Sequence, residues 1–355
     1  MLTVACSDQT AVTGSPRFSD SDFSCSIPSS ELLNGGPGKD GIPALTNPEF
    51  VESNAAGTEY LLDEDRVVGL VVDGAPLAIP LNIFWWHEIV NLNLGAIPLA
   101  ITHCPLTGSS LGFDRTNAAG AEFGVSGLLF RNNLVMYDRA NPESLWPQML
   151  RGGRCGVRTG TALDMVPVIE TNWVGWRTLY PDTRVVSSDT GFGRDYRVYP
   201  YGNYDNLNNS TVLFPLQVDR RRPAKERVLG IPMDPDGGVA FPFGELDALG
   251  PLAAVHLDVL GEPTVVFWDR GRQAAMAYSP SAGGQDLTFS FVGNNVVDDQ
   301  TGSVWRVDGL AVNGPLAGAR LEAIPEAFVA FWFAWPAFYP DIEIWTANGQ
   351  RDDLQ

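Results

Sequence analysis

The sequence predicts an α+β fold made of two diverged tandem copies of a mainly antiparallel β module, each closed by an amphipathic helix, packed with pseudo-twofold symmetry. Three observations carry that expectation. Short alternating apolar segments run into Gly, Pro and Asp turns along most of the chain, the period-2 pattern of half-buried strands. Matching segments recur at an offset that stays near ~160 residues, which chance would not maintain. The strongest match ends both copies: Trp173-Val-Gly-Trp176 precedes Tyr180-Pro-Asp182, and Trp332-Phe-Ala-Trp335 precedes Tyr339-Pro-Asp341.

Taken in chain order, residues 1–40 read as an exported, lipoprotein-like tether. Leu2-Thr3-Val4-Ala5-Cys6 resembles the end of a lipoprotein signal, and Ser7 to Asp22 is rich in Ser, Thr and Asp with few core formers. Cys6 has two accounts, a lipid anchor or a disulfide with Cys25. Both place the protein outside the cytoplasm, in the periplasm or at the cell surface.

The first module, 41–188, contains Arg66-Val-Val-Gly-Leu-Val-Val-Asp-Gly74, a strand running into an Asp/Gly turn, and a second strand from Ala75 to Leu81. The second module, 225–346, repeats this as Arg227-Val-Leu-Gly-Ile-Pro-Met-Asp-Pro-Asp-Gly237 and a strand from Gly238 to Phe243, with Pro80 opposite Pro242. Leu94-Gly-Ala-Ile-Pro98 and Leu260-Gly-Glu-Pro263 each lead into a further strand, and Ser144-Leu-Trp146 matches Ser303-Val-Trp305. In each closing motif the tryptophans stand three apart, hence on one helical face, and the Pro after the Tyr stops the helix. A last strand follows, Thr183 to Ser187 and Ile342 to Thr346. The connecting segment 189–224 is rich in Tyr, Asn, Gly and Arg; such long connections are often functional or cover a neighbouring surface. Residues 347–355 form a tail.

Composition narrows the function classes. A chain of 355 residues suits about two domains, and 45% hydrophobic with 18% charged residues is too apolar for disorder. The net charge of −19, with Lys39 and Lys225 the only lysines, would repel a phosphate backbone, so nucleic acid is not an expected partner. No apolar run reaches the ~18 to 20 residues of a membrane span; Phe328 to Phe338 contains Pro336 and reads as core. No glycosidase-like carboxylate pair, Ser-His-Asp order, phosphate loop or dinucleotide fingerprint is present. Asp234-Pro-Asp-Gly237 lacks the loop length and distal Glu of a calcium site and reads as a plain turn.

Copies of one module share what the fold requires, so chemistry is sought where they differ. After Pro80 the first copy reads Leu-Asn-Ile-Phe-Trp-Trp-His-Glu-Ile-Val-Asn91, and later Leu99-Ala-Ile-Thr-His-Cys-Pro-Leu-Thr-Gly108; the second copy has no histidine in the former stretch and Asp269 where Cys104 would stand. Cys104 ends a strand before a turn whose amides could stabilise a thiolate. His87 and Asn91 are expected four apart on one face of a short helix, with Glu88 beside them, and His87 could serve the thiolate as base or join it as a metal ligand. The plain alternatives are that Cys104 is a small buried hydrophobe and His87 a satisfied core histidine. His103 alternates to the other sheet face. Met136 is a candidate soft ligand, more simply a core residue. Cys155, in a Gly/Arg-rich loop, could pair with Cys104, which would abolish the site. His256 reads as structural.

These segments resemble a family known only as the domain of unknown function numbered 3179. The residues that carry the resemblance are Gly41-Ile-Pro-Ala-Leu-Thr-Asn-Pro48, Trp86-His-Glu-Ile-Val-Asn91, Cys104-Pro-Leu-Thr-Gly108, Phe123-Gly-Val-Ser-Gly-Leu-Leu129, Asn133-Leu-Val-Met-Tyr-Asp-Arg139 and the Tyr-Pro-Asp closures. The resemblance implies a signal or lipoprotein leader, in keeping with Cys6. It also implies a Cys-Pro-Leu-Cys motif in many members; Thr107 stands at the fourth position here, so the turn holds no dithiol. His103 replaces a usually aromatic residue, and no family role is carried onto it.

Three functions remain open from the sequence. The first is a copper or zinc site formed by Cys104 and His87 with Met136. The second is a cysteine-nucleophile or thiol-redox enzyme in which His87 is the base and Asn91 or Glu88 orients it, although Pro105 removes the usual oxyanion N–H after the nucleophile. The third is a non-catalytic surface binding or scaffolding protein, with Tyr196 to Tyr204 as a contact loop of the kind that suits carbohydrate or protein partners. A small molecule or metal ion stays open as a partner.

Overall fold

The computed structural model describes residues 24–348, apart from 96 and 234–235, and the backbone of 351–352. Hairpins account for most of it, because each alternating segment is followed by a turn that a tight reversal can use. Arg66–Val72 (β1) and Ala75–Pro80 (β2) pair antiparallel across Asp73 and Gly74, both at positive φ. Pro80 then caps the start of Leu81–His87 (α1), where a missing N–H costs nothing. Ile89–Leu92 (β3), Leu99–Cys104 (β4) and Ser109–Asp114 (β5) form an antiparallel meander. Phe123–Phe130 (β6), Asn133–Asp138 (β7) and Ser144–Pro147 (β8) form a second one. Ile169–Asn172 (β9) pairs β1, Trp173–Leu179 (α2) follows, and Arg184–Val186 (β10) returns parallel to β2.

The same order recurs downstream. Arg227–Met233 (β11) and Gly237–Pro242 (β12) form a hairpin followed by Phe243–Ala248 (α3). Leu252–Val259 (β13), Glu262–Asp269 (β14) and Ala274–Tyr278 (β15) form a meander, as do Phe289–Val292 (β16), Asn295–Asp298 (β17) and Val304–Trp305 (β18). Phe328–Phe331 (β19) pairs β11, Ala334–Phe338 (α4) follows, and Asp341–Trp345 (β20) runs parallel to β12. The protein is thus mostly β with a few short helices. The largest sheet crosses between the halves: β3, β4 and β5 continue through β19 into β11, β12 and β20. The crossing is made where Val329 faces Ser110 and the Phe331 amide donates to the Thr107 carbonyl at 2.8 Å. Among the described residues no helix is long and apolar enough to cross a membrane.

Both tryptophan motifs are core anchors. Trp173, Trp176, Trp332 and Trp335 are all buried. Trp176 lies flat against Gly69 in β1 and Trp335 against Gly230 in β11; a Cβ on either glycine would stand 2.3 Å from the indole ring. Where the halves meet, a buried carboxylate gathers charges from both. Glu170 on β9 accepts from the Arg66 Nε–H and the Arg227 Nη1–H, each at 2.7 Å, and from the Ser110 hydroxyl at 2.6 Å. Burial alone would raise its pKa, but the two guanidinium groups hold it down at about 2.

Three expectations change here. Of the 1–40 segment read as a tether, residues 24–40 pack on the body: Leu32–Asn34 pairs with β6, and Asp40 binds Arg139 and Tyr137. Cys25 is bonded to Cys155 at 2.10 Å, so neither the Cys6–Cys25 nor the Cys104–Cys155 pairing forms; Cys6 itself lies outside the described residues. The helix after Pro80 stops at His87, so Asn91 falls on β3 and not on a helical face with His87. The Asp234 turn lies outside the described residues in part.

Gly69→Ala and Gly230→Ala are expected to destabilise the protein by ~1–3 kcal/mol or more, because each methyl must displace a packed indole; urea unfolding followed by tryptophan fluorescence measures it. Glu170→Gln leaves Arg66 and Arg227 without their anion and is expected to cost about 3–5 kcal/mol in the same assay, far more than Glu49→Gln on the surface.

Candidate functional site

Cys104 sits at the last position of β4, and its turn, Pro105 to Gly108, folds back into β5 with Gly108 at φ 59° under the Phe331 ring. The thiol is fully buried and donates to the Asn132 carbonyl at 3.8 Å. Burial pushes its pKa up to about 11, with the nearby Glu88 carboxyl adding to the rise. Against these, the Thr107 hydroxyl, the Thr107 N–H and the Leu134 N–H all point at sulfur and lower it. The turn amide missing at Pro105 is therefore supplied two residues later. This arrangement favours a thiolate once something else removes the desolvation cost.

Glu88 is the residue the local chain would not choose for its position. It ends α1 with φ 56° and ψ −31°, donating its N–H to the Phe84 carbonyl at 2.8 Å and accepting from the His103 N–H at 2.8 Å. A β-carbon in that region costs of order 1–3 kcal/mol, and glycine or asparagine is the usual occupant. The side chain is 6% exposed, and no hydrogen bond reaches its carboxyl among the described residues. Burial pushes its pKa up to about 8. Burial and the strained backbone set Glu88 apart from an ordinary surface carboxyl, and its charge acts on the thiol.

Rings of the connecting segment pack with the apolar cluster that contains Cys104. Tyr201 feels both Glu88 and Cys104, and Tyr199 and Tyr204 both feel Cys104. Tyr199 and Tyr201 pack with ring centroids 5.5 Å apart. The Tyr204 hydroxyl is buried without a partner, and the Lys225 ammonium lies 3.5 Å from the centre of its ring while donating to the Thr211 carbonyl. Burial lowers Lys225 to about 7. Tyr196 and Tyr204 are buried and Tyr199 and Tyr201 half-buried, while Arg197, Val198, Pro200, Gly202 and Asn203 between them are exposed.

His87 is committed elsewhere. Its Nδ1 is 2.7 Å from the Pro43 carbonyl, which can only accept, so Nδ1 carries the proton. Its Nε2 then accepts from the Tyr196 hydroxyl at 2.7 Å, which in turn meets Thr190. Burial lowers its pKa to about 4, leaving a neutral ring with both nitrogens engaged. Asn91 clamps three backbone groups, donating to the Leu45 and Phe123 carbonyls and accepting the Phe123 N–H, and does not orient His87. Met136 is buried in β7, in register with Trp146. His103 bonds Ser110 on the Glu170 side, and His256 accepts the Phe289 N–H at 3.0 Å. Among the described residues no three His, Cys, Asp or Glu side chains gather around one point.

The segments that carry the family resemblance thus meet in space: Trp86 to Asn91 delivers Glu88, Cys104 to Gly108 delivers the thiol, and Asn133 to Arg139 delivers the Leu134 amide. The family model described as Protein of unknown function (DUF3179) matches residues 39–342. The chain belongs to this family. No curated protein and no solved structure matches it. Within the family's matched span lie Glu88, Cys104, the tyrosines of the connecting segment and both halves of the fold, while Cys25 lies ahead of it.

Glu88 has a pKa raised from the ordinary carboxyl value, so its neutral form is favoured by folding; that contribution is complete below about pH 4.5 and is lost as pH rises through about 8. Wild type is therefore expected to lose thermal stability relative to Glu88→Gln across that window, with parallel curves outside it. Paired melting curves across the range measure it; overlapping curves throughout would mean that Glu88 is ionised or solvated.

Proposed function

We propose that Cys104 and Glu88 form the reactive pair of a thiol-dependent enzyme site, with Glu88 and not His87 as the base. The observation that carries this reading is the unpartnered Glu88 carboxyl held beside the thiol by a strained backbone. In the step it supports, the ionised Glu88 takes the Cys104 proton, with the Thr107 and Leu134 donors holding the sulfur's charge. The sulfur then bonds to a substrate carbonyl carbon as the C=O π pair moves to oxygen, and the return of that pair breaks the bond to the leaving group, which takes the proton from Glu88. Tyr199, Tyr201 and Tyr204 exclude water until a substrate displaces them.

A copper or zinc centre is the second reading. The thiol and the free carboxyl favour it, as soft and hard donors at one place, with Cys104 and Glu88 as ligands and His87 left to its own hydrogen bonds. Export is part of the same proposal and is supported by the Cys25–Cys155 disulfide, a bond that persists in oxidising compartments. A lipid at Cys6 would then anchor the protein. The duplication is supported by matched details: Trp146 donates to Asp138 and Trp305 to Asp298, both at 2.8 Å, and the Asn172 amide donates to Arg272 much as that of Phe331 does to Thr107. On that correspondence Asp269, ion-paired with Arg272, occupies the place of Cys104 in the second copy.

The test is site-resolved alkylation of Cys104 by iodoacetamide, read by peptide mapping across pH. The rate is expected to rise through about pH 8 as Glu88 ionises. Glu88→Gln is expected to remove that inflection and slow labelling by roughly 10²-fold, and Tyr201→Ala to accelerate it. An unchanged rate and profile in Glu88→Gln would sink the reactive pair. Stoichiometric copper or zinc, lost in both Cys104→Ser and Glu88→Gln, would establish the metal reading in its place.

A further inference from the structure

We propose that the Tyr204 hydroxyl is the oxyanion donor of the Cys104 site, hydrogen-bonding the substrate carbonyl oxygen as the sulfur attacks its carbon. This role rests on the reading of Cys104 and Glu88 as a reactive pair. A thiol that adds to a carbonyl puts negative charge on oxygen, and a donor already aimed at that oxygen supplies much of the acceleration. The usual donor, the amide after the nucleophile, is missing because Pro105 has no N–H. The Thr107 and Leu134 donors act on the sulfur instead. The Thr107 hydroxyl is further engaged by Ser109 and Asn133, each at 2.9 Å.

Two chains of contacts bring Tyr204 to the thiol. Along the first, the Cys104 thiol donates to the Asn132 carbonyl at 3.8 Å. The Asn132 side chain is bonded both ways to the Phe214 backbone, donating to its carbonyl at 3.1 Å and accepting its N–H at 2.9 Å. The neighbouring Leu213 N–H acts on the Tyr204 hydroxyl. Along the second, the Phe331 ring lies against Gly108 at the end of the Cys104 turn, where a Cβ would stand 2.7 Å from it. The Lys225 ammonium lies 5.7 Å from the centre of the Phe331 ring and 3.5 Å from that of Tyr204, and it also donates to the Thr211 carbonyl at 2.8 Å. It thereby holds the Tyr204 ring in place. Tyr204 and Cys104 share one apolar cluster, and the thiol's charge acts on the phenol.

The hydroxyl is left free to donate. Tyr204 is 3% exposed, and among the described residues no acceptor takes its proton. The Leu213 N–H is itself a donor and cannot. Burial pushes the phenol's pKa up, so it keeps its proton and remains a donor across the range in which Glu88 ionises. A buried donor without an acceptor burdens the resting fold, and a carbonyl oxygen that becomes negative relieves it most when the charge is greatest. A substrate that parts the rings to reach the sulfur brings its carbonyl against this O–H. As the sulfur–carbon bond forms and the C=O π pair moves to oxygen, Tyr204 hydrogen-bonds that oxygen and retains its proton. The pair then returns as the leaving group departs with the proton from Glu88.

The experiment compares two reactions of Cys104 in the full chain, each corrected with Cys104→Ser. p-Nitrophenyl acetate acylates the thiol with charge developing on oxygen, read by p-nitrophenolate release. Iodoacetamide alkylates it at a saturated carbon with no charge on oxygen, read by peptide mapping. Tyr204→Phe keeps the ring and removes the donor, and is expected to lower the ratio of acylation to alkylation rates by about 10²-fold. Glu88→Gln is expected to slow both reactions together. A merely structural Tyr204 would move both rates alike, and an unchanged ratio in Tyr204→Phe would overturn the proposal. So would a wild-type Cys104 that p-nitrophenyl acetate does not acylate. If Tyr204→Phe does not fold, the infrared carbonyl stretch of the ¹³C-acetyl thioester on wild-type Cys104 decides. A frequency below that of the same thioester in dry hexane is expected, and an equal one rules the donor out. Failure of the reactive pair shows itself separately, as alkylation indifferent to Glu88→Gln.

Discussion

The junction between the halves depends on one buried carboxylate. Glu170, on β9, ties its neighbour β1 through Arg66 to β11 through Arg227 and to β5 through Ser110, and so joins two sheets, since β5 and β11 lie in the same one. A buried ion group of this kind adds less net stability than an apolar cluster of the same size, but it has one satisfactory geometry. It fixes how β4 and β5 sit against β19, and therefore where the turn from Pro105 to Gly108 is held. Cys104 and His103, adjacent in sequence, are presented by that turn to opposite faces.

The two faces have different physical characters. On one, the thiol is dry, clustered with tyrosines and placed beside a carboxyl that nothing neutralises. On the other, a neutral imidazole borders a pocket lined by Arg66 and Arg227 and by Glu64, Asp65 and Asp205. The connecting segment from 189 to 224 serves both, since Tyr199 borders the pocket while Tyr201 and Tyr204 feel the thiol. Tyr199, Tyr201 and Tyr204 of this long irregular connection pack with the apolar cluster that contains Cys104.

Much of this could be read along the chain because the relevant signals are local. Alternation gave β1, β2, β11 and β12 nearly to the residue, the Trp-x-x-Trp spacing gave two buried anchors, and Cys104 stands at a strand end before a turn as its sequence neighbours imply. The placement of Glu88 was not legible. Nothing in Trp-His-Glu-Ile-Val announces a helix stop, since no Gly, Asn or Pro is present to supply one. Extending the helix placed Asn91 beside His87; the pairing of β3 with β4 overrides the helix and forces Glu88 into its strained conformation instead. The imidazole drew attention as the usual base, but whether its nitrogens are free depends on Pro43 and Tyr196, and neither is near it in sequence.

What the sequence by itself determined is many of the strands and short helices and the family, because periodicity, turn residues and motif spacing act over a few residues. What only the tertiary structure decided is which groups face one another. The Cys25–Cys155 bond spans 130 residues, Arg227 reaches Glu170 across 57, and Tyr201 feels Glu88 from a different segment. Hydrogen-bond partners and pKa values are properties of such long-range neighbours and of burial. A chain can state that it has a thiol, a carboxyl and an imidazole; packing chooses which of them is left unpaired.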